Sequence, residues 1–335
     1  MKPVRLIVLT IIVFTCLWAI WDVRFNTIGQ WDVAFSNFGK FGQAVNGDAG
    51  AFWPRGTQRN YIYGAGVWIG GILPNGDTIV TVGYEPHTGA SECSPGLPYT
   101  SPYDPQWHVY FSTDPDYPFT PISYEDGYAI CNDFDTINHI PDSFHVKRPL
   151  GITMTLKTFT WPIVWANDVV FITFIIKNDT TYTVNDIYAG ICLDFDIGNE
   201  AVPNQNDRCG IDLQRKLFYG WQEEPEPGWP VLPGMIGLKM LSPYPLAAFK
   251  QFTLQYEPEW DRERYLTLAG YDYETGMYEP FDTIWPQPDD QRILMSVGPI
   301  NSFAPGDSIS FDWALIYGAD QIPPIPDLEY KADRA

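Results

Sequence analysis

Glycine and proline punctuate this chain throughout, with 28 and 30 of its 335 residues. Proline removes a backbone donor and glycine frees φ, so both interrupt helices and favour tight turns. Aromatic residues make up 16% of the chain and suit pleated surfaces. With 45% hydrophobic residues there is ample material for a core. The expected fold is all-β: a large antiparallel β-sandwich, as one or two packed sandwiches, made of short strands.

Alternating and apolar runs place those strands. Tyr61–Ile72 and Thr78–Gly83 flank Asn75-Gly76, a strong hairpin signal. Glycines 64, 66, 70 and 71 do not match a phosphate loop, because no helix start follows them, so close strand packing explains them better. Gly151–Trp161, Asp168–Lys177 and Asn185–Asp196 are the clearest strands in the middle of the chain. Residues 84–122 form a long Pro- and Tyr-rich connection, a length that is usually functional. One short helix is expected near 258–268, with Pro258 at its start and Gly270 just beyond. This divides the chain into an export segment or anchor (1–20), an N-terminal β region (24–150), a C-terminal β-sandwich region (151–320) and a tail (321–335).

The net charge is −21, without a basic cluster in the body. Nucleic acid is therefore not an expected partner, since phosphate binding needs concentrated Lys and Arg. An acidic surface attracts divalent cations and also serves solubility. Lys2 and Arg5 precede the apolar run Leu6–Ile20, which is the layout of an export signal. That run is about 15 residues, shorter than the roughly 20 of a comfortable membrane span. Any membrane contact is then confined to this segment, if it stays uncleaved. The protein is expected to be secreted or held at the cell surface.

Outside the cytoplasm, Cys93, Cys131, Cys192 and Cys209 most simply form two disulfides, with three connectivities open. Cys192–Cys209 would close a loop over the acidic segment and contribute on the order of 3 kcal/mol. Cys93–Cys131 would be the remaining pair. Free buried thiols are the alternative, and a zinc site lacks the C-x-x-C spacing.

The stretch ICLDFDIGNEAVPNQNDRCGID (191–212) carries the densest chemistry. In an extended strand Ile191, Leu193, Phe195 and Ile197 share one face, while Cys192, Asp194 and Asp196 share the other. Asp194, Asp196, Asn199, Asp207 and Asp212 are thus candidate ligands for Ca²⁺, which takes six to eight oxygens in tolerant geometry. The spacing is not that of an EF-hand, because Gln205 stands where a bidentate Glu is required. A competing reading has these groups merely capping Asx turns.

No hydrolase or metalloprotease motif is present, and His87, His108, His139 and His145 are scattered. Glu223, Glu224, Glu226, Asp289 and Asp290 could supply a glycosidase pair only at a separation that sequence does not give. Trp107, Trp161, Trp165, Trp229 and Trp260 are candidates for stacking on sugars.

Several segments resemble a group of exported β-rich bacterial proteins often found where type IX secretion operates. They are FSNFGKFG…FWPRGTQRNYIYGAGVWIGGILPNGDTIV (35–80), RPLGITMTLKTFTW (148–161), NDIYAGICLDFDIGN (185–199) and DDQRILMSVGPINSFAPGDSISFDWALIYG (289–318). The resemblance implies an extracellular location and a β-sandwich body. It also implies a short helix at PDLEYKADRA (326–335), after which members usually continue into a sorting domain. The combined expectation is a secreted or cell-surface β-sandwich protein with a structural or binding role, stabilised by calcium, with enzymatic activity left open. Its partners would be extracellular glycans or cell-surface proteins. A glycan-binding module or glycoside-active enzyme is the alternative.

Overall fold

A computed structural model of the protein describes residues 21–141, 147–198, 205–225, 233–253, 255–282 and 287–335. Their strands form two antiparallel sheets. The ten-stranded sheet runs Leu246–Phe252, Arg292–Ile300, Asn185–Asp194, Gly64–Ile72, Lys40–Phe41, Asp32–Ser36, Ala51–Phe52, Asn60–Ile62. Val23–Phe25 joins it beside Asp32–Ser36, and Thr78–Val82 beside Gly64–Ile72. The nine-stranded sheet runs Asp207–Asp212, Leu217–Gln222, Met235–Met240, Ser308–Gly318, Val169–Asn178, Ile152–Thr160, Glu125–Asn132, Ser94–Pro95, with Tyr110–Phe111 against Glu125–Asn132. The all-β sandwich expected from the glycine, proline and aromatic content is the observed fold. Both sheets take strands from either side of residue 150.

The sheets meet through alternating apolar side chains. Ile191, Leu193, Phe195 and Ile197 all enter the shared core with Phe174, Phe218 and Trp313, as the two-residue period requires. Rings cross between the sheets, with Phe41 and Phe174 at 6.3 Å and Phe195 and Phe218 at 5.2 Å between centroids. Helix α1 (Asp261–Leu268) covers the outer face of the ten-stranded sheet, with Tyr265 and Leu268 against Trp68, Val82, Cys192 and Leu294. Its start is held by the Glu263 carboxylate, which accepts the Trp260 N–H at 3.1 Å, and Gly270 follows its end at φ +86°. Helix α2 (Pro326–Ala332) is a second helix, where the resemblance implied one. It lays Leu328 and Ala332 on the outer face of the other sheet, against Leu217, Met235 and Ile316.

The 73–78 hairpin forms where Asn75-Gly76 predicts it, with Gly76 at φ +90° and its N–H donated to Leu73 O at 2.9 Å. The glycines of Gly64–Ile72 have a packing role. A Cβ on Gly64 would lie 2.4 Å from the Tyr84 ring, and one on Gly66 2.6 Å from Tyr84. Bare backbone at these two positions lets Tyr84 lie flat across the strand, and this places its hydroxyl at the site described below.

Neither expected disulfide forms, and all four cysteines are buried free thiols. The proposed Cys192–Cys209 staple fails for a geometric reason. Cys192 sits with α1 on the outer face of its sheet, while Cys209 points between the sheets. The Cys209 thiol lies 3.1 Å from Gln251 Oε1 and 3.0 Å from Gln291 Oε1. Cys93 and Cys131 are buried neighbours that interact as thiols, and their proximity joins burial in raising the Cys93 pKa. The export segment 1–20 lies outside the described residues.

Candidate functional site

The Asn185–Asp194 strand delivers Asp194 to the rim of the sheet opposite Arg292, its register partner on the neighbouring strand. Asp194 is 1% exposed and Asp196 8%. Together with the half-buried Asp290 they can present three carboxylate oxygens within 4.8 Å of one another. The Tyr84 hydroxyl donates to Asp194 Oδ2 at 3.0 Å, while Asp194 Oδ1 is buried without a hydrogen-bond partner. Arg292 threads the cluster, with nitrogens 3.4 Å from Asp194, 3.0 Å from Asp290 and 2.9 Å from Glu257.

Three carboxylates, Asp194, Asp290 and Glu257, therefore share one guanidinium in a poorly solvated place. Burial, reinforced by the nearby Asp290 charge, pushes the Asp194 carboxyl up to about 7 although Arg292 pulls the other way. Burial likewise raises Glu257 to about 7, against the opposing pull of Arg292. For Arg292, burial acts downward, but the surrounding carboxylates outweigh it and hold the guanidinium firmly charged. The Tyr84 hydroxyl is pushed well up, first by burial and then by the Asp194 charge. Hard oxygens, excess negative charge and a buried acceptor without a donor are the chemistry of a hard-cation site.

Of the five ligands proposed from sequence, Asp194 and Asp196 come together and Asn199 lies outside the described residues. Asp207 is buried nearby and its Oδ2 accepts the Ile197 N–H at 3.0 Å, which pins the strand exit. Asp212 is a correction. It lies at the far end of its strand, capping a turn through Gln214 N (2.9 Å) and Arg215 N (3.1 Å) and pairing with Arg215 at 2.7 Å. That is the Asx-turn role that competed with metal binding. Asp290, not Asp212, is the third carboxylate that stands with Asp194 and Asp196. Sequence offered Asp290 only as a candidate for a glycosidase pair, since its contact with Asp194 is made by segments about a hundred residues apart. The Arg292–Asp194 register, not a local motif, creates it.

The other candidates disperse. Glu223 pairs with Arg208 at 2.8 Å. Glu226, Trp229 and His145 lie outside the described residues. His139 is buried 3.7 Å from Glu92, and His87 is exposed. His108, Asp114 and Asp116 form a second cluster of potential ligands, but Asp114 is already forked by Arg24 at 2.5 and 3.0 Å. Trp161 and Trp165 flank Phe171, with centroids at 5.5 and 6.5 Å. All three line an apolar cleft of about 500 Å³ on the outer face of the nine-stranded sheet.

The fold and site define an antiparallel β-sandwich carrying a buried acidic cluster at one sheet rim. No family model and no curated protein matches the chain. Among solved structures it is similar to a putative aldose 1-epimerase from Escherichia coli K12, with 9% identity, 89% of this chain and 99% of that chain covered and a TM-score of 0.39. It is also similar to a galactose mutarotase-like protein from Clostridium acetobutylicum, with 8% identity, 88% and 94% covered and a TM-score of 0.37. The fold class rests on the two sheets themselves. Among the described residues no helix is long and apolar enough to cross a membrane.

Proposed function

We propose that this is an exported β-sandwich protein with a structural or binding role at or beyond the cell surface, stabilised by a divalent cation, calcium first. One observation carries the cation: Asp194, Asp196 and Asp290 can bring three oxygens within 4.8 Å, and Asp194 Oδ1 is buried without a partner. A bound cation would supply the charge partner that burial of the Asp194 carboxylate calls for, relieve its repulsion with Asp290, and leave Arg292 to neutralise Glu257. The surface location is supported by the apolar run Leu6–Ile20 and by the acidic composition. Fractionation of expressing cells tests it, and recovery of the mature chain only from cytoplasm would rule it out.

The cation is tested by melting purified protein in EGTA and in excess CaCl₂. At a concentration a hundred times Kd, a ligand of the folded state adds about 2.7 kcal/mol. In a chain of this size such a gain raises Tm by several degrees. An unchanged Tm would remove the cation from the proposal.

A glycan-binding role is the second reading, favoured by the cleft that Trp161 and Trp165 wall. The half-buried Tyr128 ring and the exposed Phe119 ring lie at 5.0 Å on the same outward face. Retention on a polysaccharide panel, lost in Trp161→Ala and Trp165→Ala, is the expected result. Silence across the panel would count against it.

A further inference from the structure

We infer that the cavity under the start of α1 is a binding site for a carboxylated monosaccharide, a hexuronate, whose carboxylate pairs with Arg264. This inference does not use the Trp161 cleft, and its cavity shares one residue, Glu257, with the Arg292 cluster. Arg264 is 2% exposed, yet its guanidinium makes no hydrogen bond or ion pair among the described residues, and its Nε is buried without an acceptor. Its one ring contact is with Trp68, at 5.8 Å. Glu92 senses its charge, but that carboxylate is engaged elsewhere, accepting the N–H groups of Val82 and Ile140 at 2.9 Å each.

A buried cation that no carboxylate among the described residues pairs with directly is costly, and it stands at the wall of a cavity of about 270 Å³. The guanidinium fork matches a carboxylate bidentately. The lining also carries three carboxylates, Glu85, Glu257 and Glu259, with Gln255, Thr88 and His87, and the half-buried Trp260 ring. This mixture selects among anions. Carboxylates in the lining repel a compact dianion such as sulfate or phosphate more strongly than a monoanion whose single charge sits on the Arg264 fork. They accept readily from hydroxyls, and the Trp260 ring offers a flat apolar face to a sugar ring. The matching ligand has one carboxylate, several hydroxyls spread around a ring, and the size of one sugar unit.

The test measures binding of sodium glucuronate and galacturonate to the full chain by calorimetry. Glucose, galactose, acetate and glycine serve as comparisons, in EGTA and again in CaCl₂. Expected are uronate binding in both media, neutral hexoses weaker by tenfold or more, and a loss of tenfold or more in Arg264→Gln with partial recovery in Arg264→Lys. If Arg264→Gln does not fold by circular dichroism, Trp260→Ala at the half-buried rim is the second variant and should weaken uronate at least fivefold. Equal binding of hexose and uronate, equal binding of acetate or glycine, unchanged affinity in both folded variants, or no binding by any uronate would each overturn the assignment. Because the readout is taken with and without the cation, failure of either proposal leaves the other measurable.

Discussion

Single residues set the site by what they lack as much as by what they carry. Gly64 and Gly66 allow Tyr84 to approach Asp194, so Gly64→Ala should cost about 1–3 kcal/mol through overpacking, read by urea denaturation. It should also weaken any cation response, because the tyrosine is displaced. Lys40 is a second strained residue. Burial lowers its pKa to about 8, while its ammonium reaches Gln43 Oε1 at 2.9 Å. The unfolded chain keeps this proton up to the ordinary lysine range and the folded chain releases it near 8. Between those values the unfolded state binds more protons, so stability should rise with pH from about 8 to 10. Lys40→Met should flatten that rise in pH-dependent melts, and a slope unaltered by the substitution would contradict the assignment.

At the scale of elements, the strands were legible because period-two patterning and Asn-Gly turns act locally. The inward set Ile191, Leu193, Phe195 and Ile197 followed directly from alternation, and α1 followed from its proline and glycine boundaries. The alternation also contained the reason the Cys192–Cys209 staple fails, since it had already turned Cys192 away from the sheet interior. What it could not reveal was that α1 buries the outer face, so that outward did not mean exposed. The thiols should therefore all alkylate in denaturant without prior reduction, and dithiothreitol should leave Tm unchanged. Protection of any pair in mass spectrometry would restore a bridge. Helix α2 is expected to act as a cover for its sheet. Leu328, fully buried against Gly237 and Gly318, should cost about 2–5 kcal/mol when truncated to alanine.

For the whole molecule, acidity is divided between solvent and interior. Glu125 accepts the Thr27 N–H at 2.6 Å and Asp133 accepts the Ile152 N–H at 2.8 Å, so part of the negative charge ties one strand's end to neighbouring segments of the sandwich. That division was hidden in the sequence, where a capping carboxylate and a ligating one look alike. Two of the five proposed ligands converge, and the partner that completes them comes from the distant Arg292–Ile300 strand and the turn before it. The most direct measurement is calcium calorimetry on the wild type beside Asp290→Asn, the one ligand chosen by tertiary structure alone. Stoichiometric uptake by the wild type, with affinity reduced tenfold or more in the variant, is the expected result. Uptake that ignores Asp290, or none in either protein, would mean that the buried carboxylates answer only to Arg292.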